Sequence, residues 1–175
     1  MKTNRSDSLP RAQRKLARGQ RGDTMIEVLV TIIILAVGVL GAAALQVTTL
    51  KNLNMSHSAS AAAIIAEDFG ERMRANPTAA LDDGYLIDGD PGAAFPDCVA
   101  AACDMAQLAE YDIGTWWDQL TAVLPAGTAE VTREIGTTTF LLTVRWDEDR
   151  SGSTGVACPV QSEADLECYQ LNITI

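Results

Sequence analysis

The pattern of apolar and polar positions first divides the chain at Gly22. The sequence before this glycine is basic, whereas Val28 to Leu45 is apolar except for Thr31. A helix of roughly 20 apolar residues spans a bilayer, so this run is just long enough to do so. Glu27 stands at its edge, where a carboxylate is costly unless it has a partner. The pattern therefore predicts a membrane helix that carries one functional acid.

The helical pattern continues after the apolar run and becomes two-faced. Small or apolar residues recur between positions 51 and 75 at alternating spacings of four and three. This periodicity predicts an amphipathic helix, supported by an Asp68–Arg72 pair one turn apart. Asn76-Pro77 is a stop signal, so one helix of about 50 residues should end there. The predicted apolar stripe is Met55, Ala59, Ala62, Ala66, Phe69 and Met73.

The rest of the chain predicts a mixed α+β unit. Residues 81–96 are rich in Asp, Gly and Pro and predict an irregular surface loop. A second helix is expected from Asp104 to Leu124, with Pro125 ending it and Gly114 as a point where it could divide. Its core candidates are Leu108, Trp116 or Trp117, Leu120 and Leu124.

Period-two alternation predicts strands in the last third of the chain. Residues 139–146 and 169–175 each place apolar side chains on one face, and 128–133 is a weaker strand joined to the middle one by a turn at Gly136. Such alternation indicates a half-buried antiparallel sheet. The apolar face of this sheet needs a cover, and the stripe of the long helix can provide it.

The segment from Gly22 to Val30, GDTMIEVLV, resembles the type III signal of type IV pilins and type II secretion pseudopilins. The resemblance implies that a prepilin peptidase cuts after Gly22 and N-methylates the new terminus, and that Glu27 sets the register between assembled subunits. Asp23 stands where the family usually has phenylalanine. A secretory signal cut near Ala42–Ala44 and an ordinary single-span anchor are alternatives, but both leave Glu27 unexplained.

A second stretch, Ala66 to Pro77, together with residues 117–127, resembles PilV-type minor pilins, also called type IV pilus modification proteins. The resemblance implies a type IV pilin-like α+β fold, in which a long N-terminal helix packs on a C-terminal antiparallel sheet. It divides the chain into a removed basic leader (1–22), a transmembrane and filament-core half of the helix (23–50) and a periplasmic head (51–175). We expect the Glu71–Arg74 cluster to be a solvated helix end rather than a subunit contact.

The same resemblance implies a structural subunit without catalysis. Its partners would be other minor pilins, the major pilin, the prepilin peptidase and the inner-membrane assembly platform. It would help to prime the filament and lie near the tip. A type II secretion pseudopilin and a membrane-anchored periplasmic adhesin or ligand-binding module are the alternative functions.

The distribution of charge along the chain is consistent with export of the part that follows Gly22. Seven of the 13 Lys and Arg residues but only one of the 23 acids precede Gly22, so the leader carries +6 and the remainder −16. The positive-inside rule places the basic end in the cytoplasm and the head in the periplasm. The resemblance to pilins implies that the assembled protein lies at the cell surface. So acidic a head is a poor candidate for direct nucleic-acid binding, which needs a basic surface.

Four cysteines follow the apolar run, and in an exported domain they favour disulfides. Three connectivities are possible. We favour the local pairs Cys98–Cys103 and Cys158–Cys168, because each pair brackets a short loop that lacks strong secondary structure of its own.

We expect no metal or cofactor. The cysteine spacings do not suit zinc, and the single histidine, His57, lies on the long helix as an exposed residue. Residues 147–152 match the opening of an EF-hand loop, but its twelfth position is Cys158 where a bidentate glutamate is needed. A looser acidic group is expected to be a solvated loop; it comprises Asp82, Asp83, Asp88 and Asp90.

Overall fold

The computed structural model of the protein describes residues 25–92 and 94–175. The leader and the expected cleavage positions, Gly22 and Asp23, lie outside the described residues. The chain divides into two compact units, the first ending at Gln46 and the second comprising Val47–Ile175. Each unit is described below in its own terms.

The long helix α1 runs from Met25 to Ala75. It ends one residue before the Asn76-Pro77 stop, as predicted, and the chain starts a new short helix directly at Pro77. Arg72 and Arg74 lie in the last turn of α1, where cations interact favourably with the helix dipole. Its N-terminal part is long and apolar enough, by length and composition, to cross a membrane.

Two further helices and a four-stranded antiparallel sheet follow α1, which confirms the expected α+β fold. The order of strands across the sheet follows their order in the chain, from β1 to β4. The elements are α2 (Pro77–Leu81), β1 (Ile87–Asp88), α3 (Met105–Val123), β2 (Thr128–Arg133), β3 (Thr139–Trp146) and β4 (Glu167–Thr174).

The core forms between α1, α3 and one face of the sheet. Phe69 of α1 contacts the ring of Trp116 at a centroid distance of 4.4 Å, and the Trp116 Nε1–H donates to the Ile65 carbonyl at 2.8 Å. The predicted stripe was wrong at its start, since Met55 and Ala59 are exposed. Burial begins beyond them, where α3 and the sheet meet the helix, and involves Ala62, Ile65, Ala66, Phe69 and Met73.

Helix α3 starts with a capping box. The Asp104 carboxylate accepts the Gln107 backbone N–H at 2.9 Å, and the Gln107 side chain accepts the Asp104 N–H at 3.1 Å. The helix continues through Gly114, where an added Cβ would overlap the Phe95 ring, so this glycine permits close approach and does not divide the helix. Leu108 is exposed, contrary to expectation, because the buried row of α3 runs through its neighbour Ala109.

Residues 81–96 are not merely the surface loop that their composition predicted. Tyr85 is fully buried, and Ile87–Asp88 forms strand β1 against Val131 and Glu130 of β2. The abundant Asp, Gly and Pro residues indicated turns correctly. Composition did not reveal the two apolar side chains that fix these turns to the core.

The sheet was expected to be half-buried, and this is wrong at one end. Thr143 and Arg145 belong to the face of β3 away from α1, yet both are buried. Residues 147–166, here called the β3–β4 connection, contact this face at Arg145, whose Nε donates to the Val156 carbonyl at 3.0 Å. The Arg145 guanidinium also pairs with Glu130 at 2.9 Å. Thr143 instead accepts the Gln170 side-chain amide of β4 at 3.2 Å.

The Glu71–Arg74 cluster is likewise not a solvated helix end throughout. Met73 is fully buried. Arg72 forms the predicted ion pair with Asp68 at 2.9 Å and also reaches α3, where it lies 3.6 Å from Asp112. The cluster thus ties the end of α1 to α3.

Candidate functional site

The first candidate site is the N-terminal part of α1, from Met25 to Gln46. Its large apolar side chains are exposed in the described chain, including Leu29, Ile33 and Leu40. A contiguous apolar surface of this extent normally contacts lipid or protein. The Thr31 hydroxyl donates to the Val28 carbonyl at 2.8 Å, so the one polar side chain of the run from Val28 to Leu45 is satisfied within the helix.

Glu27 lies in the first turn of α1 and is exposed. It is the only charged residue between Met25 and Leu50. A carboxylate in the first turn interacts favourably with the positive end of the helix dipole. In an apolar environment this interaction leaves the charge largely uncompensated, so Glu27 would favour a cationic partner from outside the segment.

The four cysteines form two disulfides, Cys98–Cys103 and Cys158–Cys168, with Cα atoms 5.4 Å and 5.9 Å apart. These are the local pairs that the sequence favoured. The first closes a turn before α3, and the second ties the β3–β4 connection to the start of β4. Both lie in the second unit and stabilise segments that have little regular structure.

A cleft of about 630 Å³ opens beside the β3–β4 connection. Asp147 accepts the backbone N–H groups of Gly152 at 2.8 Å and Ser151 at 3.1 Å, and these bonds, led by that from Gly152, lower the pKa of its carboxyl group. Asp165 likewise has a lowered pKa, led by the backbone N–H of Gln161. The acidic residues that line the cleft are Asp147, Glu148, Asp149, Glu163, Asp165 and Glu167.

The two acidic residues at the EF-hand-like positions therefore have partners within the protein. Both oxygens of Asp147 are engaged by the chain, and Asp149 pairs with Lys51 at 3.2 Å. Across residues 25–92 and 94–175, no three His, Cys, Asp or Glu side chains are arranged to hold a metal ion. In the other acidic group, Asp83 pairs with Arg133 at 2.9 Å, while Asp90 accepts the Gly92 N–H at 2.8 Å.

A polar network at the edge of the core, between the end of α1 and α3, was not predicted from the sequence. The buried Tyr85 hydroxyl donates to Asp112 at 2.6 Å, and burial, with this hydrogen bond, raises the pKa of Tyr85. Asn76 donates through Nδ2 to the Met105 carbonyl at 2.8 Å. The network joins the end of α1 to α3, and its one sequence signal was an aromatic residue inside an otherwise polar loop.

The single histidine is exposed, whereas the paired tryptophans pack on the core. His57 is exposed on α1, and none of the hydrogen bonds within the described residues involves its ring. Trp116 is fully buried, and Trp117 is partly buried against the core. The paired tryptophans are therefore packing residues.

Two family models match the chain in adjacent segments. Residues 17–43 match the prokaryotic N-terminal methylation motif, and residues 44–114 match a family described as Tt1218-like, type IV pilin Tt1218. No curated protein and no solved structure matches the chain. The first match contains Gly22 and Glu27, and the second runs from α1 into α3.

The methylation motif implies processing by a prepilin peptidase and assembly with other pilins. Type IV pilins are structural proteins, not enzymes. The exposed apolar helix is consistent with anchoring in a membrane, and a long helix packed on an antiparallel sheet is the pilin fold. The two matched segments, the apolar helix and the fold together support a type IV pilin subunit.

Proposed function

We propose that the protein is a minor pilin that helps to prime assembly of a type IV pilus and is associated with its tip. The observation that carries the proposal is Glu27, the only charged residue between Met25 and Leu50 of an exposed apolar helix segment, within the matched methylation motif that also contains Gly22. The resemblance of Ala66–Pro77 to PilV-type proteins favours a minor pilin over a major one. The specific partners are then other minor pilins, the major pilin and the inner-membrane assembly platform.

The proposed topology follows from charge. The basic leader, residues 1–22, stays in the cytoplasm until a prepilin peptidase removes it, and the acidic head, residues 51–175, is periplasmic. Residues 23–50 hold the protein in the inner membrane. On assembly, this helix leaves the lipid for the filament core, where neighbouring helices cover its apolar side chains.

The proposed mechanism of assembly joins Glu27 to the new amino terminus. Cleavage after Gly22 gives Asp23 a cationic amine, and opposite charges attract more strongly in an apolar medium than in water. When Glu27 of one subunit meets the amine of its neighbour, both charges are compensated. A subunit displaced along the filament axis leaves both uncompensated, so the pair selects one register.

Glu27→Ala tests this mechanism, with Glu27→Asp as the control that keeps the charge. The alanine variant should be cleaved and inserted normally but should co-purify less with the other minor pilins, and cells should carry fewer pili that can be sheared off. The aspartate variant should retain most of both. Normal complexes and normal piliation in Glu27→Ala would contradict the proposed role of the carboxylate.

The same cells distinguish the pilus from a secretion apparatus. The protein should be present in the sheared pilus fraction, and its deletion should lower piliation. If deletion instead abolishes secretion of folded proteins and leaves piliation unchanged, the protein is a pseudopilin.

A further inference from the structure

The two edges of the sheet are protected to very different degrees. Strand β1 is only two residues long, contains Asp88 and is followed by Pro91. Strand β4 is eight residues long, and Cys168 to Ile175 contains no charged residue, proline or glycine. Natural sheets normally block a long edge with charges, proline or a bulge, because an open edge pairs with other strands. Beyond Glu167, its first residue, the edge at β4 lacks these devices.

The register shows which backbone groups of β4 point outward. The Ile175 N–H donates to the Thr138 carbonyl at 3.1 Å, so this residue pair is hydrogen-bonded. In an antiparallel ladder hydrogen-bonded and non-bonded pairs alternate. The backbone groups of Gln170, Asn172 and Thr174 therefore face away from β3.

These outward backbone groups are available to pair with another strand. Gln170, Asn172 and Thr174 are exposed, and their backbone N–H and C=O groups make no hydrogen bond within the part of the chain that the structure describes. Three donors and three acceptors thus form a continuous row about 14 Å long, at 3.4 Å per residue over the four intervals from Gln170 to Thr174. That row is sufficient to template one more strand.

Charge indicates which strand would bind. The second unit, Val47–Ile175, contains six Lys and Arg residues against 20 acids, which gives a net charge of −14. The acidic cleft lies at the start of β4, and the carboxylates of Glu163 and Glu167 in it make no hydrogen bond or ion pair among the described residues. Two copies of so acidic a unit repel each other, whereas a basic partner is attracted.

We propose that the β4 edge binds an extended segment of a different polypeptide, added as an antiparallel fifth strand with lysine or arginine at the end beside Glu167. Antiparallel addition continues the pairing of the existing sheet. It places the C-terminal end of the added strand at the start of β4, so the basic residues follow that strand in sequence. Backbone pairing provides the affinity, and the acidic cleft selects segments that carry basic residues.

A synthetic peptide tests the proposal without knowledge of the natural partner. The probe is fluorescein-labelled TVTVTVKK, amidated at its C-terminus, and the matched probe is TVTVTVEE. Binding to the mature full-length protein in a non-ionic detergent is measured by fluorescence anisotropy. The lysine peptide should bind at least about tenfold more tightly than the glutamate peptide, because exposed charge pairs contribute modestly but add together.

Variants of the protein separate strand pairing from simple charge attraction. Asn172→Pro removes one outward N–H and should abolish binding, whereas Asn172→Thr keeps this donor and should bind as wild type does. Replacing Glu163 and Glu167 by glutamine should reduce the difference between the two peptides while leaving the pairing itself. Circular dichroism and thermal unfolding verify that each variant is folded.

Peptide chemistry provides a second test that does not depend on folding of a variant. One lysine peptide carries N-methyl groups on all valines and another on all threonines, so that each lacks the donors of one edge. Only one of the two should retain binding. If both bind, or if binding to Asn172→Pro is unchanged in a folded protein, backbone pairing is excluded.

Two other results would overturn the proposal. If the lysine and glutamate peptides bind equally, or neither binds, the stated partner chemistry is wrong. If the wild-type protein dimerises in the absence of peptide and Asn172→Pro is monomeric by light scattering, the occupant of the edge is a second copy of the chain.

Discussion

Asp147 illustrates how one side chain holds a long connection in place. Its carboxylate accepts two backbone N–H groups and the Ser151 hydroxyl, next to the point where the chain leaves β3. These bonds favour the ionised form, so the pKa of the group is lower in the folded protein than in the unfolded chain. Such a group stabilises the fold above its unfolded pKa, near 4, and this contribution is lost as the pH falls through the folded pKa.

Asp147→Asn should therefore lower the thermal unfolding temperature at pH 7. The difference from wild type should shrink as the pH falls below about 4, because Asp147 of the unfolded chain is protonated first and the folded carboxylate, whose pKa is lower, follows as the pH falls further. Asp118→Asn is the control, since Asp118 is exposed and its carboxylate accepts no hydrogen bond within the described residues. Thermal unfolding at pH 7 and pH 3 checks this. A difference that is the same at both pH values would show that the charge of Asp147 is not what matters.

Gly114 shows the opposite effect, in which a missing side chain permits packing. In an exposed helix, Gly→Ala is stabilising by roughly 0.5 to 1 kcal/mol. At this position the added Cβ overlaps the Phe95 ring, so Gly114→Ala should instead destabilise the fold by about 1 to 3 kcal/mol. Denaturant unfolding measures the change.

The pair Gly114→Ala and Phe95→Ala gives a double-mutant cycle. With the ring removed, the alanine at position 114 should recover the usual helix stabilisation. Equal destabilisation in the presence and absence of the ring would show that the Phe95 contact is not the reason for glycine here.

At the level of elements, those with a strong local signal were predictable. The end of α1 follows from Asn76-Pro77, and the strands β2 and β3 have the predicted bounds because their alternation is regular. The burial of the remaining side chains was determined by tertiary contacts. The burial of Tyr85, and of Arg145 on the second face of the sheet, depends on which segments fold back onto the core, and local periodicity does not predict this.

The two disulfides join neighbouring segments of the chain, and their pairing is a testable prediction. Non-reducing peptide mapping of the exported protein should recover Cys98–Cys103 and Cys158–Cys168 only. Replacing both cysteines of one pair by serine should destabilise the fold by roughly 2 to 3 kcal/mol, since each bridge closes a short loop. A cross-linked peptide that joins Cys103 to Cys158 would contradict the local pairing.

At the scale of the whole molecule, the N-terminal segment was more informative about the class of protein than the head was. The basic leader, Gly22, Glu27 and the apolar run are contiguous in sequence and predicted a pilin directly, in agreement with the matched motif. Surfaces of the head, such as the β4 edge and the acidic cleft, arise only when distant segments meet. The chemistry of these surfaces could not be predicted from the sequence before the topology was known.

The intact mass of the protein extracted from membranes tests the central claim most directly. A pilin of this family should begin at Asp23, with or without one methyl group on the new amine, because cleavage after Gly22 removes the basic leader. Cleavage near Ala44 would show a secretory signal, and an uncleaved chain would show an ordinary membrane anchor. Either result would contradict the assignment of the chain as a type IV pilin.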